Sequence, residues 1–94
     1  MNRNAPLVLF PLGAVVARPN ALSHLSEVDI LSALSRHQAG DWGDLCDEDK
    51  RENQLSLQKG FRLFSVYHGD NGTKFYIITE ADRSSTCVLL PEDY

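Results

Sequence analysis

Apolar residues dominate positions 7–17, but Pro11 and Gly13 interrupt them. Such a run suits an irregular extended segment at a sheet edge or in a crossing loop, because proline cannot donate to a central ladder. Arg18-Pro19-Asn20 then opens a short helix, where the missing proline N–H would be unpaired in any case. Ala21, Leu22 and Leu25 form its expected inner side. The next helix starts at Ser26, whose hydroxyl can accept from the backbone three residues on, with Asp29 placed to reciprocate. Val28, Ile30, Leu31 and Leu34 recur at helical spacing and predict one apolar face. Arg36 and His37 fall in its last turn, where positive charge suits the dipole, and Gly40 can take the left-handed closing position. After a connection over 41–45, residues 46–59 begin with Asp47, Glu48 and Asp49 and end on Lys59-Gly60, the polarity of a third helix. Its apolar content is thin, mainly Leu45, Leu55 and Leu57, so most of its circumference must face water or a partner.

From Phe61 onward the period changes from helix to strand. Residues 61–68 and 74–80 flank Asn71-Gly72, the strongest short-range hairpin signal, since both residues accept the positive φ of a type I′ turn. With Asn71 and Gly72 central, Val66 opposes Ile77, Phe64 opposes Thr79 and Tyr67 opposes Tyr76. A second turn over 81–85 leads to a last strand, Thr86 to Leu90, which Pro91 stops. The expected fold is α+β: a helical N-terminal half packed on a three-stranded antiparallel sheet, to which the first strand can add a fourth, edge member. Residues 1–6 read as a flexible tail and 7–94 as a single domain. Phe64, Val66, Phe75 and Ile77 would line one sheet face while Tyr67, Tyr76 and Ile78 line the other. A sheet apolar on both sides must be covered on both, by its own helices or by another chain, which makes a homodimer or a partner surface an expectation.

Composition narrows the setting. The chain has 94 residues, 43% hydrophobic and 23% charged, which excludes collagen-like and disordered classes and fits one ordinary domain. At this size folding buries little more than ~60% of the extended chain's surface, enough for one modest core but not for a deep multi-substrate cleft. Nine Lys and Arg against 13 Asp and Glu leave a net charge of -4, so no direct contact with nucleic acid is expected. No stretch approaches the ~20 apolar residues of a membrane-spanning helix, and no membrane partner is expected. Cys46 and Cys87 belong to no CxxC or zinc-like spacing, so two free thiols in a cytoplasmic protein are the expectation. No cofactor signature is present.

The stretches His37-Gln-Ala-Gly-Asp-Trp-Gly-Asp44, Asp49-Lys-Arg-Glu-Asn53 and Ile78-Thr-Glu-Ala-Asp-Arg-Ser84, with the ending Leu89-Leu-Pro-Glu-Asp-Tyr94, resemble a family of short uncharacterised bacterial proteins found on plasmids and integrated mobile elements. The likeness runs from Leu12 to the end of the sequence. Where that family places Thr before the proline of the first helix, this chain has Arg18. Some members carry an inherited label as the modification subunit of a type I restriction enzyme. An adenine methyltransferase, however, needs an Asn/Asp-Pro-Pro-aromatic loop to grip a flipped base, and no such loop occurs here. The resemblance implies a mobile-element setting and interaction with host defence or plasmid-maintenance machinery.

Two chemical readings of the polar residues compete with structural ones. His37, Asp41 and Asp44, joined by Glu80 and Asp82, have the donor types of a Mg²⁺ or Mn²⁺ site for phosphoester hydrolysis, the basis of a small metal-dependent nuclease or toxin. The structural alternative has His37 covering a helix C-terminus, Asp41 in an Asx-type turn and Asp44 capping the third helix. Trp42 is either a core plug beside Leu45 or an exposed anchor. Asp82 and Ser84 suit a self-bonded turn, with Arg83 paired to Glu80 or an acid of the third helix. The acidic run from Asp44 to Glu52 is diluted by Lys50 and Arg51, which weakens any imitation of DNA phosphates. The leading expectation is a non-enzymatic interaction protein of a mobile element, binding a host or element protein as an anti-restriction or anti-CRISPR factor. Its contacts would come from Asp41, Trp42, Asp44, Tyr67, Tyr76 and Arg83. A dimeric structural accessory protein is the remaining alternative.

Overall fold

The computed structural model describes residues 7–94; the expected N-terminal tail lies outside that range. A short strand β1 (Ala14–Ala17) precedes helices α1 (Pro19–His24), α2 (Glu27–Gln38) and α3 (Asp47–Lys59). Strands β2 (Leu63–His68), β3 (Lys74–Thr79) and β4 (Ser85–Leu89) and a 3₁₀ turn, Pro91–Asp93, complete the chain. The sheet has four strands in the order β1-β4-β3-β2. Three of them form the antiparallel meander that the sequence predicts. The first is a correction: β1 runs parallel to β4, so the sheet is mixed rather than antiparallel. A parallel neighbour requires a crossover, and here nearly the whole chain supplies it, with α1 and α2 laid over one sheet face.

That face is closed tightly. Leu63, Ser65, Tyr67, Phe75, Ile77, Thr79, Thr86 and Val88 are all buried on it, and Ala21, Leu25, Ile30, Ala33 and Leu34 pack down from the helices. On the opposite face Val66, Ile78 and Leu89 are buried. There Tyr94 sets its ring 6.1 Å from Phe64 and 5.9 Å from Tyr76.

The hairpin register differs from expectation by one residue. Val66 pairs with Tyr76, Tyr67 with Phe75 and Phe64 with Ile78. The cause lies in the turn, since Asn71 does not adopt positive φ and only Gly72 does. A longer loop closes instead through Gly69 N–H donating to the Thr73 carbonyl at 2.9 Å. The Asn71 side chain is used to anchor this loop, donating to the His24 carbonyl at 3.1 Å. Because side chains alternate between faces, the slip puts Tyr67 in the core and leaves Tyr76 on the far side.

The capping box of α2 forms as expected, with Asp29 N–H donating to Ser26 Oγ at 3.0 Å, and Gly40 closes the helix at φ 82°. Its inward face is rotated from the expected one. Ile30, Ala33, Leu34 and His37 point inward, while Val28 and Leu31 are 72% and 57% exposed. Leu22 of α1 is exposed as well. In α3 the buried residues are polar, Asn53 and Ser56. Among the described residues no helix is long and apolar enough to cross a membrane, and Cys46 and Cys87 are free thiols.

Candidate functional site

His37 faces the sheet and is fully buried. Its Nδ1 lies 2.5 Å from Ser65 Oγ and its Nε2 2.9 Å from Thr79 Oγ1. Thr79 Oγ1 is 2.8 Å from Thr86 Oγ1, which donates to the Leu12 carbonyl at 2.7 Å. Proton counting orders this chain. A carbonyl only accepts, so Thr86 donates to Leu12 and must accept from Thr79; Thr79, its proton spent, accepts from His37 Nε2–H. Nδ1 is therefore the bare nitrogen and accepts from Ser65. A second proton would go to Nδ1 and would require the Ser65 hydroxyl to turn from donor to acceptor. Burial lowers the His37 pKa from 6.5 to about 4, with the nearby Arg83 charge acting in the same direction. Phe10 and Trp42 enclose the ring edge-on, at centroid distances of 5.2 and 5.6 Å. His37 is thus a neutral strut between α2 and the sheet, not a cover for the helix end.

The other members of the expected metal set lie elsewhere and are engaged with other groups. Asp41 takes a forked contact from Arg36, at 2.7 Å to Nε and 3.3 Å to Nη2, and accepts from Gly43 N–H. The hydrogen bond from Arg36, helped by the Gly43 N–H and the guanidinium charge, holds its carboxyl below the usual range. Asp44 does not cap α3: its carboxylate meets His68 Nδ1 at 2.6 Å, and the cap position is Cys46, with no side-chain bond. Glu80 pairs with Arg62 at 3.2 Å. Asp82 accepts from Ser84 N–H at 3.0 Å, the expected Asx geometry. Among the described residues no three His, Cys, Asp or Glu side chains come together to hold a metal ion.

Arg83 departs from its expected pairing with an acid. At φ 61° it is the one described non-glycine residue in the left-handed region. Its guanidinium donates to the carbonyls of Phe61, Glu80 and Ala81 through Nη1 and of Ser56 through Nη2. It thereby ties the end of α3 to the β3–β4 turn. Trp42 is buried as a core plug, stacked on Phe10 at 6.3 Å. Tyr67 is also buried, its hydroxyl donating to the Asp41 carbonyl at 2.5 Å, and burial pushes its phenol up to about 12. Of the residues expected to bind a partner, Tyr76 lines a recess beside α3.

The two sheet edges are treated differently. On β2, Asn53 donates to the Phe64 carbonyl at 2.6 Å and accepts from Phe64 N–H at 3.2 Å. Val66 donates to the Trp42 carbonyl and accepts from Asp44 N–H. Residues 42–44 and α3 thus substitute for a missing strand and close that edge. Gly43 is required there, since a Cβ would sit 1.9 Å from the Val66 carbonyl oxygen. An asparagine in a helix interior, where it is a poor helix former, is the one sequence signal for this arrangement. On β1, Ala14 and Arg18 donate to β4 through Ser84 and Val88. The alternation of a parallel ladder then turns the N–H and C=O groups of Val15 and Ala17 outward, with no further strand beyond them among the described residues.

A recess of 410 Å³ lies on the other side of the molecule, lined among others by Asp49, Glu52, Arg62, Phe64, Tyr76 and Tyr94. Comparison with known proteins finds no match to a family model, a curated protein or a solved structure.

Proposed function

We propose that the protein is a small non-enzymatic interaction module that binds another protein by strand addition along β1. The observation that carries this reading is the contrast between the edges: β2 is closed by Asn53 and residues 42–44, whereas no strand among the described residues pairs with the outer side of β1. Val15 and Val16 are 47% and 51% exposed on its two faces. An uncovered edge with β-branched residues is a template for an incoming strand, whose main chain supplies affinity and whose alternate side chains supply selectivity. The resemblance to mobile-element proteins gives the proposed setting, with a host or element protein as partner and an anti-restriction or anti-CRISPR role as its class. The engaged state of His37, Asp41, Asp44, Glu80 and Asp82 speaks for structural duties and against the nuclease reading.

The same open edge supports a second reading, a dimer in which two copies pair β1 to β1. Val15→Pro tests both. Proline at an outward-facing edge position removes the donor needed by an incoming strand and leaves the inner ladder intact. Peptides selected from a display library on the wild type should lose binding to Val15→Pro while its Tm stays near wild type. Peptides that bind both proteins equally would sink the strand-addition reading. Self-association that rises with concentration in the wild type and vanishes in the variant would identify a second copy as the occupant.

A further inference from the structure

The recess beside α3 has the composition of a cation receptor and shares no lining residue with the β1 edge. Phe64, Tyr76 and Tyr94 form a triangle of rings with centroid separations of 4.8, 5.9 and 6.1 Å. The rings meet one another at 53°, 65° and 88°, so a cation seated on the cluster lies within ~6 Å of each ring centre and meets only some of the rings face-on. Asp49 and Glu52 border the same recess. Ion pairs among the described residues are Arg36–Asp41, Arg62–Glu80 and His68–Asp44, so neither of those carboxylates is neutralised. Arg62, the one basic lining residue, already has Glu80 as its counter-ion. Lys74 Nζ stands 5.9 Å from the Tyr76 ring centre but is not among the residues lining the recess. At 410 Å³ the recess lies within the size range of small-ligand sites.

We propose that this recess binds a quaternary-ammonium head group, held against the aromatic cluster of Phe64, Tyr76 and Tyr94 and balanced by Asp49 and Glu52. A methylated ammonium is preferred over a bare one because its hydration is weak, so less is lost when it leaves water for the aromatic surface. The head group can belong to a free solute or to a trimethylated lysine in a protein segment; the recognition chemistry is shared.

The test uses the whole protein, ¹⁵N-labelled, titrated with choline, with its neutral isostere 3,3-dimethylbutan-1-ol, and with short peptides carrying lysine or trimethyl-lysine. Saturable shifts at Phe64, Tyr76 and Tyr94 with choline and the trimethyl-lysine peptide, but not with the isostere, are the expected result. A peptide that binds more tightly than choline assigns the source to a protein side chain, and the reverse order assigns it to a solute. Tyr94→Ala, at a position 72% exposed, should weaken binding about fivefold by removing one ring, and Glu52→Gln should weaken it in low salt but less in high salt. Equal binding of the neutral isostere, or no saturable shift at the recess with either cation, would overturn the proposal.

Discussion

Lowering the pH from 7 to 4 should destabilise the protein through His37. The ring is buried and neutral, with a pKa of about 4 against an ordinary value of 6.5. Between those values the unfolded chain binds a proton that the folded protein refuses, so stability rises with pH across that window. The contribution is complete above about pH 6.5 and is lost as the pH falls towards 4. At about 1.4 kcal/mol for each tenfold change in proton affinity, the displacement amounts to roughly 3 kcal/mol, a large fraction of a small domain's stability. Urea unfolding followed by the fluorescence of Trp42, at intervals from pH 7 to 4, measures the slope. His37→Gln keeps a polar group near Ser65 or Thr79 but cannot titrate. It should be less stable than wild type at pH 7, by ~1–3 kcal/mol for the hydroxyl left unpaired, and the gap should narrow or reverse by pH 4. Subtracting one profile from the other cancels the remaining titrating groups. Parallel profiles, or an imidazole signal of His37 titrating near 6.5, would refute the buried neutral strut.

Further expectations follow from the same contacts. Asn53→Ala removes both bonds to Phe64 and should cost ~1–3 kcal/mol in urea unfolding; it should also open the β2 edge, visible as new self-association in sedimentation. Gly43→Ala forces a Cβ against the Val66 carbonyl and the Tyr67 ring at a positive φ, so a loss above ~2 kcal/mol is expected, and an unchanged urea midpoint would contradict the close approach. Arg83→Lys keeps the charge but offers a single ammonium in place of a fork that reaches the Phe61 and Ser56 carbonyls, and hydrogen exchange at the end of α3 should accelerate.

Much of the element order is readable from period and punctuation: Ser26 with Asp29 starts α2, Gly40 ends it, and the change of period at Phe61 marks the sheet. What is lost depends on long-range pairing. The direction of β1 is set by which neighbour it reaches, and a four-residue strand carries no mark of parallel or antiparallel company. The hairpin slipped because the Asn71 side chain bonds to His24, a contact between segments far apart in sequence that outweighs the local turn preference. The hydropathy pattern points the face of α2 wrongly because His37 counts as polar in it. Once Ser65, Thr79 and Thr86 are present beneath it, histidine is the correct interior residue, and Val28 and Leu31 rotate outward. Asp41 and Asp82 form the turns their residue types suggest. Asp44 and Arg83 found partners, His68 and a set of carbonyls, that spacing along the chain does not reveal.

The polar signature residues hold the fold together, and recognition is left to surfaces. Titration of the ¹⁵N-labelled protein with Mn²⁺ distinguishes this from a metal site, because the ion broadens signals near where it resides. Weak, non-saturating broadening spread over exposed acids, with the His37 signal untouched, is the expected result. Saturable broadening focused on His37, Asp41, Asp44, Glu80 and Asp82 together would contradict it.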